Sequence, residues 1–176
     1  MNPTHRGGAS LSCPDCGAEN LSGEEDCSSC GSSLSTLSGP RPDPKTPMQT
    51  RILEGTVACL KPHAAVTVGE DATIAEAVRL MREHKMGCVL VLRGKDLAGI
   101  FTERDLIAEV AGRRDPGATK VGPLMHKDPI TLREDEPVAY AFHSMALHSN
   151  RHIPVRFLNG SLGMISSRDL LHYLCS

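Results

Sequence analysis

Aromatic residues are scarce in this chain, and tryptophan is absent. Its 176 residues include two tyrosines and three phenylalanines, although hydrophobic residues make up 40% of the total. That hydrophobic content is sufficient for a packed core. The core must therefore be built from aliphatic side chains, methionine and alanine.

Long apolar runs and a strong excess of either charge are also missing. No stretch approaches the roughly 18 apolar residues of a membrane-spanning helix, and the first 12 residues contain no apolar core of a signal peptide. The formal net charge of −2 gives no bulk electrostatic reason for binding to nucleic acid or to a membrane surface. We therefore expect a cytoplasmic protein that makes no membrane contact.

Cysteine, in contrast, is plentiful, and four of the seven cysteines form two Cys-x-x-Cys pairs. The pairs are Cys13 with Cys16 and, after ten residues, Cys27 with Cys30. Four thiolates at this spacing are typical of a zinc ribbon, where they close a tetrahedral coordination sphere and leave no position for catalysis. The sequence thus predicts a structural Zn²⁺ ion. Small apolar core positions are predicted for Cys59, Cys88 and Cys175.

The surroundings of the cysteine pairs favour a structural role or a protein contact over binding to nucleic acid. Gly17 and Gly31 follow the two pairs, where a left-handed backbone is commonly required. Residues 1–50 carry three basic and six acidic side chains, and they contain no aromatic ring for stacking on bases. Nucleic acid is therefore an unlikely partner, and a protein partner is the better prediction for the ribbon.

Composition divides the chain into five segments. They are a disordered tail over 1–12, the four-cysteine zinc ribbon over 13–31, a Pro/Ser-rich linker over 32–50, a first repeat over 51–112 and a second over 113–176. The linker contains four prolines and almost no apolar side chains. Such a stretch buries too little surface to offset its ordering entropy, so an extended conformation is predicted.

The two C-terminal segments are an internal duplication. A shift of 64 residues aligns 57–110 with 121–174 without a gap. Fourteen of these 54 positions are identical, against about three for unrelated sequences. Each copy has the hydrophobic pattern of a β-α-β-β-α unit, so the predicted fold class is α+β.

The first helix of each copy is predicted from apolar positions at the spacing i, i+3, i+4, i+7. In the second copy these positions are Val138, Ala141, Phe142 and Met145. Thr73 is the expected N-cap of the first-copy helix. His84 and His148 lie at matching helix ends, where we interpret them as contacting the terminal carbonyl groups.

A Gly-h-h-Thr/Ser-x-x-Asp motif, in which h is apolar, lies near the end of each copy, at Gly99–Asp105 and Gly163–Asp169. Together with the β-α-β-β-α order and the strand entry at Arg151–Val155, it resembles the CBS domain, named for cystathionine β-synthase. The resemblance covers about residues 51–175. It implies a pseudo-twofold pair of repeats, a Bateman module, with two clefts for AMP, ADP, ATP or S-adenosylmethionine. It also implies a homodimer and a non-enzymatic role.

The motif residues have two interpretations. Thr102 and Ser166 lie at helix starts, beside amide groups that can face a phosphate, and Asp105 and Asp169 offer carboxylate oxygens to ribose hydroxyl groups. The same Thr/Ser-x-x-Asp spacing is also a capping box, which stabilises a helix without any ligand. The sequence leaves both interpretations open.

Further ligand-binding candidates surround these motifs. Polar and basic candidates are Arg104, Arg168, Asn150, Arg151 and His152, with His126 and Lys127 as additional positive charges for phosphate. Candidates for lining the clefts, from the resemblance, are Ala65, Gly87, Ile100, Pro129 and Met164. Met86–Leu90 in the first copy lacks the basic pair and the proline of Asn150–Pro154. Unequal affinities of the two clefts are therefore predicted.

Three functions remain under consideration. The leading one is a sensor whose clefts bind an adenosyl ligand and whose ribbon contacts a partner. The second is a structural adaptor that dimerises through the repeats with empty clefts and binds a protein through the ribbon. The third, a regulator associated with nucleic acid, is disfavoured by the acidic ribbon.

Overall fold

A computed structural model describes residues 10–21, 24–35 and 46–176. The strands are β1 (Ser10–Ser12), β2 (Glu19–Leu21), β3 (His63–Ala64), β4 (Thr67–Gly69), β5 (Cys88–Arg93), β6 (Asp96–Thr102), β7 (His126–Lys127), β8 (Leu132–Arg133), β9 (His152–Arg156) and β10 (Leu162–Ser166). The α-helices are α1 (Pro47–Glu54), α2 (Ile74–Glu83), α3 (Glu103–Asp105), α4 (Val138–His148) and α5 (Ser167–Cys175). A 3-10 helix spans Val57–Leu60, and a π-helix spans Leu106–Val110 directly after α3. The order β-α-β-β-α occurs from β4 to α3 and again from β8 to α5, which confirms the predicted α+β class.

The described chain forms two compact units. One comprises the residues up to Lys61 together with Leu132–Arg151 and Ser166–Ser176. The other comprises Pro62–Thr131 and His152–Ile165. We refer to these as the ribbon unit and the central unit.

A four-stranded sheet in the order β4-β5-β6-β7 dominates the central unit. Strand β4 runs parallel to β5, whereas β5 with β6 and β6 with β7 are antiparallel. Helix α2 begins after Thr73, whose side chain accepts a hydrogen bond from the Glu76 amide at 3.2 Å, as predicted. The helix buries Ile74, Ala77 and Met81 in a core shared with strand residues such as Phe101.

A second group of strands in the central unit contains β3, β9 and β10. Strand β10 pairs with β3 in antiparallel register, with Met164 opposite His63. Met164 belongs to an apolar cluster with Cys88, Leu90 and Ile100 of β5 and β6. Short aliphatic side chains and methionine therefore form this core, as the scarcity of aromatic residues requires.

Helix α1 lies within the ribbon unit, against the helices of the second repeat. It packs against α4 and α5, and Arg51 Nη1 donates to the Tyr173 and Leu174 carbonyl oxygens at 3.1 Å each. The Val138 amide at the start of α4 donates to the Gly55 carbonyl just after α1 at 2.8 Å. The second repeat is thus covered by chain that precedes the duplication.

Segment boundaries differ from those predicted. Ser10–Ser12 form a strand rather than a disordered tail, and Leu34 is buried in the ribbon core. The predicted extended linker is wrong at its C-terminal end, because α1 begins at Pro47 with Thr46 as its N-cap. Pro47 is compatible with helix here because the first helical turn needs no amide donor. The part of the linker prediction over 36–45 lies outside the described residues.

The predicted buried face of α4 is partly wrong. Val138 and Ala141 are fully buried, but Phe142 is 42% exposed. Tyr140 and His143, which the apolar spacing did not select, are only 7% and 5% exposed. The periodicity identifies one packed face, whereas α4 is also covered by residues that precede the duplication.

Two further predictions need correction. Among the scattered cysteines, Cys88 is buried as expected, but Cys59 and Cys175 are exposed and are not core residues. His148 Nε2 lies 2.8 Å from the Asp15 carboxylate of the ribbon. The ring therefore contacts the ribbon, a partner that its position at a helix end did not predict.

Candidate functional site

The first Thr/Ser-x-x-Asp junction forms a capping box at the start of α3. Thr102 Oγ1 accepts from the Asp105 amide at 3.4 Å, and Asp105 Oδ2 accepts from the Thr102 amide at 2.8 Å and from its hydroxyl at 2.7 Å. Asp105 is only 7% exposed. The capping interpretation is confirmed, and it fixes the orientation of a nearly buried carboxylate.

The second junction repeats this geometry at the start of α5. Ser166 Oγ accepts from the Asp169 amide at 3.3 Å, and Asp169 Oδ2 accepts from the Ser166 amide and hydroxyl at 2.7 Å each. Asp169 is half-buried. The duplication has therefore preserved a three-dimensional arrangement as well as a sequence pattern.

The residue after each cap is anchored to the entry of the central strand of its repeat. The Glu103 amide donates to the Gly87 carbonyl at 3.0 Å, and the Ser167 amide donates to the Arg151 carbonyl at 2.9 Å. Gly87 and Arg151 are equivalent under the 64-residue shift. Both predicted strand-entry positions are thus held beside the predicted helix starts.

His126 contacts the aspartate of the first junction. Its Nε2 lies 2.9 Å from Asp105 Oδ1, and its side chain is 70% exposed. In the strand pairing His126 lies opposite Ile100, and His63 lies opposite the equivalent Met164, so a histidine occupies this strand position in both repeats. An imidazole therefore borders the first aspartate, while the predicted inequality of the two sites stays a prediction.

Gly87 and His152, both predicted ligand-binding residues, lie next to each other in the central unit. A Cβ atom at Gly87 would be 3.1 Å from His152 Cε1, 3.2 Å from its Nε2 and 3.5 Å from Glu103 Oε2. The missing side chain of Gly87 leaves the space into which the imidazole and the carboxylate point. The sequence prediction missed Glu103, although it lies inside the motif, directly after Thr102.

The buried thiol of Cys88 lies in the same neighbourhood. Burial, with a smaller contribution from the charge of Glu103, raises the pKa of Cys88 to about 12. A thiol with such a pKa stays protonated at neutral pH and is a poor nucleophile. Cys88 therefore acts as an apolar wall beside Gly87.

The structure groups the predicted apolar lining residues. Ala65, Ile100 and Met164 belong to one apolar cluster of the central unit. Pro129 is half-buried, and its carbonyl accepts from Thr131 Oγ1 at 3.0 Å. The exposed basic candidates are Arg104, Arg151 and Arg168, and Asn150 is half-buried.

A groove of about 960 Å³ lies elsewhere on the central unit. It is lined by apolar Val78, Leu106 and Val110 and by Arg79, Arg82 and Arg114. Thr102 and Asp105 do not line it. It is therefore a helix-face feature and is distinct from the capping boxes.

The four ribbon cysteines converge on one point. Their Sγ atoms lie within 4.8 Å of one another, and the distances from Cys13 to Cys30 and from Cys16 to Cys27 are 3.7 and 3.6 Å. Four sulfurs at tetrahedral Zn–S distances of about 2.3 Å would be about 3.8 Å apart. The four cysteines fit a single zinc ion.

The backbone around the cysteines supports this arrangement. Gly17 and Gly31 adopt the predicted left-handed conformation, with φ of 73° at each. Their amides donate to the Cys13 and Cys27 carbonyls at 2.8 Å. Buried Asn20 donates from Nδ2 to Cys27 Sγ at 3.5 Å. Outer contacts of this kind orient metal-binding thiolates.

Protonation of the cysteines differs within the cluster. Hydrogen bonding from the Cys30 amide, with a further contribution from Ser29, lowers the pKa of Cys27 to about 6. Burial raises the pKa of Cys13 to about 12. Because thiolates are the metal ligands, zinc binding must release protons from such a cluster, and its affinity must rise with pH.

Comparison with known proteins identifies the duplicated part of the chain. The family model described as the CBS domain matches residues 61–112 and 121–176, which together exceed half of the chain. The mitochondrial CBS domain-containing protein CBSX3 of Arabidopsis thaliana is 35% identical over 107 residues. That match covers 57% of this chain and 52% of the Arabidopsis protein, so the chain spans about half the length of that relative.

Of two similar solved structures, one contains AMP and the other contains zinc. The CBS domain protein PAE2072 from Pyrobaculum aerophilum, complexed with AMP, is 28% identical with a TM-score of 0.59 and covers 69% of this chain and 99% of that one. Hypoxic Response Protein I with two coordinated zinc ions is 25% identical with a TM-score of 0.57 and covers 66% and 97%. No helix within the described ranges has the length and apolarity needed to cross a membrane.

Proposed function

Because the chain belongs to the CBS-domain family, we propose that it is a regulatory protein that binds an adenine nucleotide at its Thr/Ser-x-x-Asp junctions. AMP, ADP, ATP and S-adenosylmethionine are the candidate ligands. The observation that carries the proposal is the twofold occurrence of a buried or half-buried aspartate that a capping box fixes at a helix start. Binding of AMP by the Pyrobaculum relative supports the same ligand class.

Each part of a nucleotide has a counterpart at the first junction. The Asp105 carboxylate can accept from ribose hydroxyl groups, while the partial positive charge of the helix start favours a phosphate. Exposed Arg104 adds positive charge nearby, and the apolar side chains of Ala65 and Ile100 suit an adenine ring. Carboxylates repel a bare phosphate, so this combination favours a nucleotide over an inorganic anion.

Equilibrium titration with AMP, ATP and S-adenosylmethionine tests this proposal. Asp105→Asn and Asp169→Asn are the sharpest variants, because asparagine retains an oxygen for the helix cap but loses the charge. Each is expected to weaken binding at its own junction by about tenfold or more. Asp96→Asn, at an exposed position, is the matched control and should bind as wild type does. Wild-type protein that binds none of the three ligands below about 1 mM would overturn the proposal.

We also assign a structural Zn²⁺ ion to Cys13, Cys16, Cys27 and Cys30. The four sulfurs complete the coordination sphere, so the ion has no open position for substrate. Metal analysis should give one zinc per chain, and substitution by Co²⁺ should give the absorption of a tetrahedral all-sulfur site. Retention of zinc by a Cys27→Ser/Cys30→Ser variant would contradict this assignment.

A homodimer through the CBS repeats is part of the proposal. Ile107 and Leu171 occupy equivalent positions in the two repeats and are 72% and 62% exposed. Phe142, the counterpart of Val78 in the helix groove, is 42% exposed. Apolar side chains repeated on the surface by an internal duplication suit a second copy of the same chain. The expectation is a dimer in solution that Ile107→Glu converts to monomer.

The same exposed residues favour a second candidate, a structural adaptor. In that case the repeats dimerise without binding nucleotide, and the ribbon contacts a protein partner through exposed residues such as Leu21, which is 65% exposed. The titration distinguishes the two candidates, because the adaptor predicts dimers without nucleotide affinity.

A further inference from the structure

The ribbon lies on a surface of the second repeat. The equivalent surface of the first repeat is exposed. We define the α4 face by Tyr140, His143, Ser144 and His148. Tyr140, His143 and Ser144 are 7%, 5% and 0% exposed. Their counterparts under the 64-residue shift are Glu76, Arg79 and Leu80, of which the first two are exposed and the third is half-buried. This burial is specific to the second repeat, where α1 also packs against α4.

The contact that reaches this face comes from the first cysteine pair. Asp15 stands between Cys13 and Cys16, and its Oδ1 atom lies 2.8 Å from His148 Nε2. The Asp15 side chain is only 8% exposed. A carboxylate that is so little hydrated needs a polar or charged neighbour, and the α4 face supplies one.

Electrostatic effects place other ribbon residues beside the same face. The pKa of Tyr140 is raised by burial first and then by the negative charges of Glu136 and Glu19. Burial lowers the pKa of His143, while the Asp15 charge opposes that change. Residues of strand β2 and of the first cysteine pair therefore all lie near α4.

The position of Asp15 depends on the cysteines around it. Cys13 and Cys16 both belong to the proposed zinc site, and two amides hold the turn, from Gly17 to the Cys13 carbonyl at 2.8 Å and from Cys13 to the Ala18 carbonyl at 2.8 Å. The ribbon core consists of little more than Cys13, Cys27 and Leu34. So small a core rarely stays folded without a metal.

From this geometry we propose that zinc binding holds the ribbon on the α4 face, so that metal occupancy controls whether this face of the second CBS repeat is covered. The inference rests on the proposed zinc site but not on nucleotide binding. In the zinc-loaded chain Asp15 is oriented toward His148, and the ribbon covers Tyr140 and His143. In the zinc-free chain the ribbon core is lost, and the α4 face becomes accessible.

Hydrogen exchange of the full chain, measured by mass spectrometry with zinc bound and after chelation, tests the coupling. Amides of 138–148 are expected to exchange about tenfold faster without zinc. Amides of 74–83, the equivalent helix of the first repeat, serve as the internal control and should not change. Metal analysis of both samples establishes whether zinc was bound and then removed.

A histidine variant separates docking from metal binding. His148→Ala should accelerate exchange of 138–148 while one zinc per chain is retained, whereas His84→Ala, the exposed counterpart in the first repeat, should change neither. If the chain binds zinc but removal of the zinc does not change the amide exchange of 138–148, this inference alone is overturned. A chain that binds no zinc would overturn the zinc site itself, and wild-type protection in His148→Ala would overturn the docking contact.

Discussion

His126 Nε2 lies 2.9 Å from Asp105 Oδ1, while Asp105 Oδ2 accepts two hydrogen bonds from Thr102. Both oxygens of the aspartate proposed to bind ribose are therefore engaged by the protein itself. A ribose hydroxyl group must compete with the imidazole for Oδ1, because Oδ2 stabilises the helix start. The first junction thus carries its own competitor.

Replacement of His126 by alanine should strengthen the binding of adenosine. Removal of the competing imidazole frees Asp105 Oδ1, and a net hydrogen-bond contribution of this kind corresponds to an affinity gain of about threefold to tenfold. Adenosine is the appropriate probe because it has no phosphate that could gain from a positive imidazole. Titration calorimetry measures the change, and Lys127→Ala, at the neighbouring exposed position, is the control. Unchanged or weaker binding by His126→Ala would show that no such competition exists.

Gly87→Ala should destabilise the protein through His152. The added Cβ would lie 3.1 Å from the imidazole Cε1, and displacement of the ring is expected to cost about 1 kcal/mol of unfolding free energy. Chemical denaturation measures this loss. A Gly69→Ala variant, whose Cβ meets nothing within 4 Å, should stay within about 0.5 kcal/mol of wild type.

The double variant Gly87→Ala/His152→Ala tests the cause of that loss. If His152 is the obstacle, its removal should make the Gly87→Ala change nearly neutral, and the two substitutions should be non-additive. Full additivity would assign the cost to some other contact of Gly87.

The cysteines outside the ribbon should differ in their reaction with iodoacetamide. Hydrogen bonds from Thr56, first from its backbone, lower the pKa of exposed Cys59, whereas burial raises the pKa of Cys88 to about 12. Only the thiolate reacts, so alkylation of Cys59 should begin at a lower pH than alkylation of Cys88. Cys88 should stay unmodified at about pH 8. Peptide mass spectrometry after short labelling provides the measurement. Modification of Cys88 before Cys59 would contradict the burial seen in the structure.

Arg51→Ala should lower the free energy of unfolding by about 1–3 kcal/mol, because it removes two charge-assisted hydrogen bonds to the last carbonyls of α5. The exposed Arg79, which pairs with Glu83 at 2.9 Å, is the matched control. Such a surface pair contributes about 0.5 kcal/mol or less. Equal losses for Arg51→Ala and Arg79→Ala would mean that α1 does not stabilise the second repeat.

Much of the fold could be predicted from the internal repeat and from residue types that restrict the local backbone. The 64-residue repeat predicted both β-α-β-β-α units, because the apolar pattern of the strands and helices recurs in the second copy. Thr73 and the left-handed Gly17 and Gly31 were predicted because capping and positive φ each restrict the residue types allowed.

Other features depend on contacts between distant parts of the chain, and periodicity carries no information about them. Phe142 fits the apolar spacing of α4 yet is exposed, while Tyr140 is buried because the chain before the repeats covers that side. The interaction of His148 with Asp15 joins residues 133 positions apart. The proximity of Gly87 to His152 likewise joins residues 65 positions apart, and Glu103 Oε2 reaches the same space only in the folded chain.

The hydrogen bonds from Glu103 to Gly87 and from Ser167 to Arg151 have a mechanical meaning. In each repeat a single backbone hydrogen bond links the start of the last helix to the residue just before the central strand. Through this hydrogen bond, a shift of the helix start would directly displace the entry of the strand. A force exerted by a bound phosphate would thus reach the middle of the repeat without passing through any flexible side chain.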